Sequence, residues 1–379
     1  MHGRISTRRR HMKILHVFPN FRTGGAQMRF AILAGLLSED IAHTVVAIDG
    51  DTSARMLVPA EANVSYGKVP RHRRILGRLK SYRRYLRNMT PDILVTYNWG
   101  AIEWAIANLF VRVPHIHMED GFGPEEANRQ LLRRIWLRRR LLRRSVIVVP
   151  SQSLRELAAA KWKMSGYDIR YIPNGVTPRD ADLDEHSNID FFLPKNLPRI
   201  VWAGAFRPEK NPLRLLHAFA PLRGKAVLIL IGDGPQRALV EREAARLSLV
   251  PHVLFLGSRA DARDIIMQCD IMALASDTEQ MPFAVLEAMD AGLAVASVDV
   301  GDICEMVAPE NRSFIVPNNT DALSQAMARL AADEPLRIRI GEANRHRLRA
   351  RYGSQAMAAQ YDQLFHSVAY AHTGRGSHV

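Results

Sequence analysis

Apolar positions along this chain fall in short continuous runs, and helix-like patterns fill the stretches between them. Lys13-Ile-Leu-His-Val-Phe-Pro19 leads through a turn to a helical pattern from Ala26 to Leu37, then to the β-branched run His43-Thr-Val-Val-Ala-Ile48. Further runs stand at Asp92-Ile-Leu-Val-Thr96, Pro114-His-Ile-His117 and Ser145-Val-Ile-Val-Val-Pro150. Short buried strands alternating with helices predict βαβ units and a parallel sheet. The second half repeats the scheme. Arg199-Ile-Val-Trp-Ala203 precedes a helix from Pro212 to Phe219, and Ala226-Val-Leu-Ile-Leu-Ile231 precedes one from Gln236 to Leu247. Runs at His252–Leu256, Ile271–Leu274, Ala294–Ser297 and Ser313–Val316 complete it. Between the halves, Ile172-Pro-Asn-Gly-Val-Thr-Pro178 and the polar stretch to Asn196 read as a linker. The expectation is an α/β chain of two doubly wound, Rossmann-like domains facing across a cleft, with ligands beyond the carboxyl ends of the strands.

Composition agrees with that picture. A chain of 379 residues with 47% hydrophobic and 24% charged content has material for two cores. No apolar run approaches the ~20 residues that a spanning helix needs. The basic start, Met1 to Met12, is not followed by a signal-peptide apolar region, so a cytoplasmic protein is expected, with Met1 and Met12 both open as the start. Two cysteines, Cys269 and Cys304, build neither a disulfide framework nor a four-thiolate zinc site.

The segment richest in chemistry is Ser276-Asp-Thr-Glu-Gln-Met-Pro-Phe-Ala-Val-Leu-Glu287, directly after the run Ile271–Leu274. Pro282 suits the first turn of a helix, whose unpaired N–H groups and positive dipole end favour a diphosphate. Glu279 lies just before that terminus. Glu287 sits among apolar neighbours, which is odd for a solvated surface acid, and a carboxylate is a pure acceptor suited to a polyol. The plain alternative is a helix-start acid and a surface glutamate.

Glu279 and Glu287, with Pro282-Phe283 between them and Glu-Ala-Met-Asp-Ala-Gly292 after, resemble the Glu-x7-Glu segment of family-4 glycosyltransferases of the GT-B fold. Gly24-Gly25, Ile172-Pro-Asn-Gly175 and Pro208-Glu-Lys-Asn211 agree with it in order along the chain. The resemblance implies an N-terminal acceptor-binding domain over 12–180, a nucleotide-sugar-binding domain over 196–352, and a C-terminal helix, 353–370, packing back towards the first. It implies transfer of a sugar, with retention, from a nucleoside-diphosphate sugar to an acceptor hydroxyl. The acceptor it suggests is a lipid-linked glycan of bacterial cell-surface polysaccharide or lipopolysaccharide synthesis. Donor contacts are expected from Gly25, Arg207, Lys210, Glu279, Met281, Pro282, Phe283 and Glu287. Arg207 stands in for the arginine that the family carries directly after the strand glycine, where this chain has Ala205. Catalytic roles fall to Lys210, Glu279 and a residue of the His115-Ile-His-Met-Glu-Asp120 segment, for which His117 and Asp120 compete. Cofactors are not expected beyond the nucleotide sugar itself, nor is a metal. Asp49-Gly-Asp51 imitates a metal motif but reads as a turn.

The formal charge of +14 concentrates in Arg71–Arg87 and Arg129–Arg144. In the second cluster a helix carrying Leu132, Trp136 and arginines fits an anionic membrane surface, so Arg133, Arg134, Trp136 and Arg138 are expected on the acceptor or membrane side of a peripheral protein. Aromatic residues are not interleaved with the basic ones as a base-stacking surface requires, and no nucleic acid is expected as partner. A nucleotide-sugar epimerase of the same fold and a basic nucleic-acid-binding protein are the alternative functions.

Overall fold

The computed structural model describes residues 11–70, 72–121, 126, 130–179 and 196–373. They divide into two compact units, one ending at Ile172 and resuming at Met357, the other built mainly from Pro173–Ala356.

The first unit holds seven parallel strands: β1 (Met12–Phe18), β2 (Ile41–Ala47), β3 (Val64–Gly67), β4 (Ile93–Tyr97), β5 (His115–Met118), β6 (Val146–Val149) and β7 (Ile169–Tyr171). Their order is β3-β2-β1-β4-β5-β6-β7, so the chain reverses its winding between β1 and β4. The intervening helices are α1 (Gly25–Leu36), α2 (Ile75–Met89), α3 (Ile102–Asn108), α4 (Leu132–Leu141) and α5 (Gln152–Ala160). All five positions of β4 are buried, which is why its sequence is a continuous apolar run with one threonine.

The second unit repeats the winding with six strands: β8 (Arg199–Ala203), β9 (Val227–Ile231), β10 (Val253–Gly257), β11 (Ile271–Leu274), β12 (Ala294–Val298) and β13 (Ile315–Val316). Their order is β10-β9-β8-β11-β12-β13. Helices α6 (Pro212–Phe219), α7 (Arg237–Arg246), α8 (Ala262–Met267), α9 (Phe283–Asp290), α10 (Ile303–Met306), α11 (Thr320–Ala332) and α12 (Glu334–Arg351) complete it. The last helix, α13 (Ser354–Thr373), sends Met357, Ala358, Tyr361, Leu364 and Phe365 into the core of the first unit beside Ile14, Phe18 and Phe30.

The sequence placed the end of the first domain at 180. Contacts shift it to Ile172, because Val176 is already hydrogen-bonded to Tyr352 and Ser354 through its backbone, inside the second unit. The helix expected to begin at Pro282 begins one residue later, with Pro282 as its extended N-cap. The strands β3 and β7 are additions to the sequence reading. Both are short, partly exposed end strands of the sheet, without the apolar run that betrays a central strand.

Candidate active site

In a doubly wound sheet the loops on either side of the winding reversal splay apart and leave room for a ligand. In the second unit those loops follow β8 and β11, and they bring together the residues singled out in sequence. Lys210 Nζ donates to Glu279 Oε1 at 2.6 Å, and Ser276 Oγ donates to the same oxygen at 2.8 Å. Behind this pair, Arg214 binds both the Asp277 carboxylate and the Ala275 carbonyl, and Asp277 N–H donates to the Glu209 carbonyl at 2.8 Å. The loop from Ala275 to Pro282 is thus tied to the loop after β8 at several points.

Two further anchors fix its far end. Asn174 Nδ2 donates to the Met281 carbonyl at 2.8 Å, and Asp302 N–H donates to the Gln280 carbonyl at 3.0 Å. Gly301, at φ +58°, lies so close that a Cβ there would sit 2.5 Å from the Glu279 carbonyl oxygen. Ser276, Asn174, Gly301 and Asp302 are residues that the sequence reading did not assign to the site, although Asn174 lies in its Pro-Asn-Gly motif. The result is a rigid turn that presents the start of α9, where no side chain caps the first amides. Such an end attracts anions.

The remaining donor candidates fall around it. Arg207 is exposed, with its guanidinium 4.0 Å from Glu209. Met281 and Phe283 are buried and Pro282 is half-buried, so these three shape the turn more than its surface. Glu287 is half-buried one helical turn before Asp290. Burial pushes its carboxyl up to about 7, and Asp290 adds to the rise against the pull of Arg263 and Arg179. Gly232, at φ +134°, lets the loop after β9 touch the Gly204 carbonyl, where a Cβ would stand 1.8 Å away.

In the first unit the structure separates the two competing residues of the β5 segment. His117 is only 1% exposed, and its ring nitrogens face Thr96 Oγ1 at 2.8 Å and Glu119 Oε2 at 3.4 Å. The chain of contacts continues from Thr96 to His115 Nε2 and from His115 Nδ1 to Ser145 Oγ. A carboxylate only accepts, so His117 Nε2–H donates to Glu119. Burial lowers His115 to about 3, which keeps it neutral in this chain. Burial alone would raise Glu119, but Arg138 and His117 outweigh it and hold the carboxyl below its ordinary value. His117 is thus buried in the first unit, with both ring nitrogens engaged.

Asp120, three residues on, reaches solvent with 15% of its side chain exposed. Its carboxylate is held by the guanidinium of Arg29, with Nη2 to Oδ2 at 2.8 Å, and its N–H donates to Asn98 Oδ1 at 2.7 Å. Asn98 adopts a left-handed φ of +55° to make that contact. Arg29 is fully buried on α1; burial lowers its pKa, but the charge and hydrogen bond of Asp120 together with Tyr361 and Tyr97 outweigh that, so the pKa is raised. A charged residue inside the apolar pattern Ala26–Leu37 was the signal for it in the sequence.

Gly25 opens α1 and Gly24 before it has extended backbone, and neither φ lies in the left-handed region that favours glycine. The aspartates of Asp49-Gly-Asp51 hold Arg22 and close a turn around Gly50 at φ +82°. Among the described residues no three His, Cys, Asp or Glu side chains cluster as a metal site would require.

Helix α4 divides its expected membrane residues. Leu132 and Trp136 are exposed, as is Arg133, while the Arg134 guanidinium lies over Trp99. Arg138 is a correction. It is buried between Trp99 and Trp162 and bonds Glu119 at 3.1 Å, because it sits on the face of α4 turned to the sheet. No helix among the described residues is long and apolar enough to cross a membrane.

Two parallel-sheet units, each wound like a dinucleotide-binding domain, define the GT-B class of glycosyltransferase fold. Residues 23–180 match the family described as Glycosyltransferase Family 4, and residues 185–347 match Glycosyl transferases group 1. The chain belongs to these glycosyltransferases. It is 29% identical to N-acetyl-alpha-D-glucosaminyl L-malate synthase of Bacillus anthracis over 45% of each chain. It is 26% identical to the lipopolysaccharide core biosynthesis glycosyltransferase LpsD of Rhizobium meliloti, over 93% of this chain and 98% of that one. The chain spans about half the length of most curated relatives it matches. Among solved structures, HepE of Anabaena in complex with UDP and glucose superposes with a TM-score of 0.79 at 20% identity, over 94% of this chain and 100% of that one.

Proposed function

We propose that this protein transfers a sugar, with retention, from a nucleoside-diphosphate sugar to a hydroxyl of a lipid-linked glycan in bacterial surface polysaccharide synthesis. The observation that carries the reading is the Lys210–Glu279 pair at the uncapped start of α9. Lys210 is a mobile point charge that can leave Glu279 for a phosphate, and the carboxylate so released can accept from sugar hydroxyls. Lys210, the exposed Arg207 and the α9 amides then stabilise the departing diphosphate, the task a divalent metal performs in other transferases. Glu287 accepts from the ribose.

On the first unit we assign the substrate contact to Asp120, whose carboxylate Arg29 orients. The exposed pair Leu132 and Trp136, with Arg133, Arg139 and Arg140 around it, supports peripheral association with an anionic membrane. The UDP in the Anabaena structure makes UDP the first nucleotide to try. A thermal-shift panel of UDP-, GDP- and ADP-sugars tests the reading, since a ligand bound only by the native state raises its midpoint. One nucleotide is expected to raise it well above the others. A panel without any shift overturns the proposal, and epimerised sugar nucleotide formed without acceptor would assign an epimerase instead.

A further inference from the structure

The basic cluster of α2 has no part in the site described above, yet it borders a cavity of about 200 Å³ in the first unit. The floor is the buried trio Val46, Tyr82 and Trp104, with the Tyr82 and Trp104 rings stacked 4.4 Å apart. Ile48 and Val69 form walls, and the more exposed His72 and Arg78 stand at the mouth. The apolar floor and walls suit a short hydrocarbon segment.

The surroundings of the mouth specify the other end of a ligand. Between His72 and Met89 there is no acidic residue, and Arg73, Arg74, Lys80 and Arg84 are all exposed there. Among the described residues of this cluster only Arg78 is balanced by an acid, Glu103 at 2.7 Å. Beside these charges Leu76 is 77% exposed and Ile75 49%. An apolar slot with a cationic, apolar-flecked rim is complementary to an amphiphile with an anionic head.

We propose that this cavity holds the hydrocarbon segment next to the phosphate of the lipid phosphate that carries the acceptor glycan, with the start of α2 binding the phosphate. The assignment rests on the transferase reading for one point, that the bound lipid carries the acceptor glycan. Neither part alone suffices: inorganic phosphate lacks the chain that fills the slot, and the free alcohol lacks the charge that the rim attracts.

The test titrates the full chain with farnesyl phosphate below its micelle concentration, followed by heat and by tryptophan fluorescence. Saturable binding is expected, with inorganic phosphate and farnesol each at least tenfold weaker. Val69→Phe, which fills the slot from its wall, should weaken farnesyl phosphate at least tenfold. Trp104→Phe should abolish the fluorescence change while heat of binding persists. Inorganic phosphate equal to farnesyl phosphate, or Val69→Phe binding like wild type, overturns the proposal. So does a fluorescence change that survives in Trp104→Phe, which would place the lipid elsewhere. A UDP-induced thermal shift on each variant runs alongside. If Val69→Phe loses that shift through misfolding, Ile48→Phe takes its place. Absence of the UDP shift in wild type counts against the transferase reading, while the lipid-phosphate titration still decides the slot.

Discussion

Asp120 and His117 are three residues apart in a segment where sequence alone could not choose between them, and the proposed assignment to Asp120 rests on their different surroundings. The His117 ring is enclosed by Thr96 and Glu119, whereas Asp120 is oriented by a buried guanidinium and open to solvent. Two variants should therefore fail in different ways. Asp120→Asn is expected to lower turnover by at least tenfold with a thermal midpoint near wild type. His117→Ala should instead lose stability, since it breaks the ordered chain from Ser145 to Glu119 and leaves buried polar groups unpaired, at roughly 1–3 kcal/mol each. Calorimetry and initial rates on both proteins check this, and the reverse pattern would return the substrate contact to His117.

Glu287 makes a second residue-level prediction. Its carboxyl is raised from the ordinary glutamate range to about 7, so the folded state favours the protonated form. The stabilising contribution is full at pH below the unfolded value, near 4.5, and is lost as pH rises through about 7. Glu287→Gln should flatten the fall in stability between these pH values. If the ribose needs the ionised acceptor, affinity for the nucleotide in wild type should rise over the same interval, and the variant should lose that rise. Isothermal titration at pH 5.5, 7 and 8.5 reads both; a pH-independent wild type would refute the role.

At the scale of elements, the central strands were legible because strands buried on both faces require continuous apolar runs, as in β4 and β9. The end strands β3 and β7 were not, because partial exposure removes that requirement. The Glu279 loop was legible as a motif, but its supports were not. Asn174 and Gly301 lie far from Glu279 in sequence, and only the fold sets them against its backbone. Helix α4 shows the limit of charge patterning: arginines look alike in sequence, yet Arg133 is solvated and Arg138 is enclosed by two indoles. Arg138→Met should destabilise the first unit by about 3–5 kcal/mol, since it strands the buried Glu119 charge. Adding Glu119→Gln should recover part of the loss. Denaturant melts of the single and double variants measure it, and additive effects would show that the pair is not coupled.

For the whole molecule, a charge of +14 favours anionic surfaces of any kind, so charge alone does not choose a partner. The exposed Leu132 and Trp136 make the membrane reading specific. Sedimentation with anionic vesicles should be strong at low salt, and Trp136→Ala should weaken it severalfold at unchanged net charge. Equal binding by the variant would reduce the interaction to electrostatics.

The central claim is that the second unit holds a nucleotide-sugar donor through Lys210. Its most direct test is turnover of Lys210→Ala with the nucleotide sugar that the thermal-shift panel selects. A fall of roughly 10²–10³ is predicted, the scale of losing a group that stabilises developing charge, together with a diminished donor-induced shift. Wild-type turnover in that variant would contradict the account.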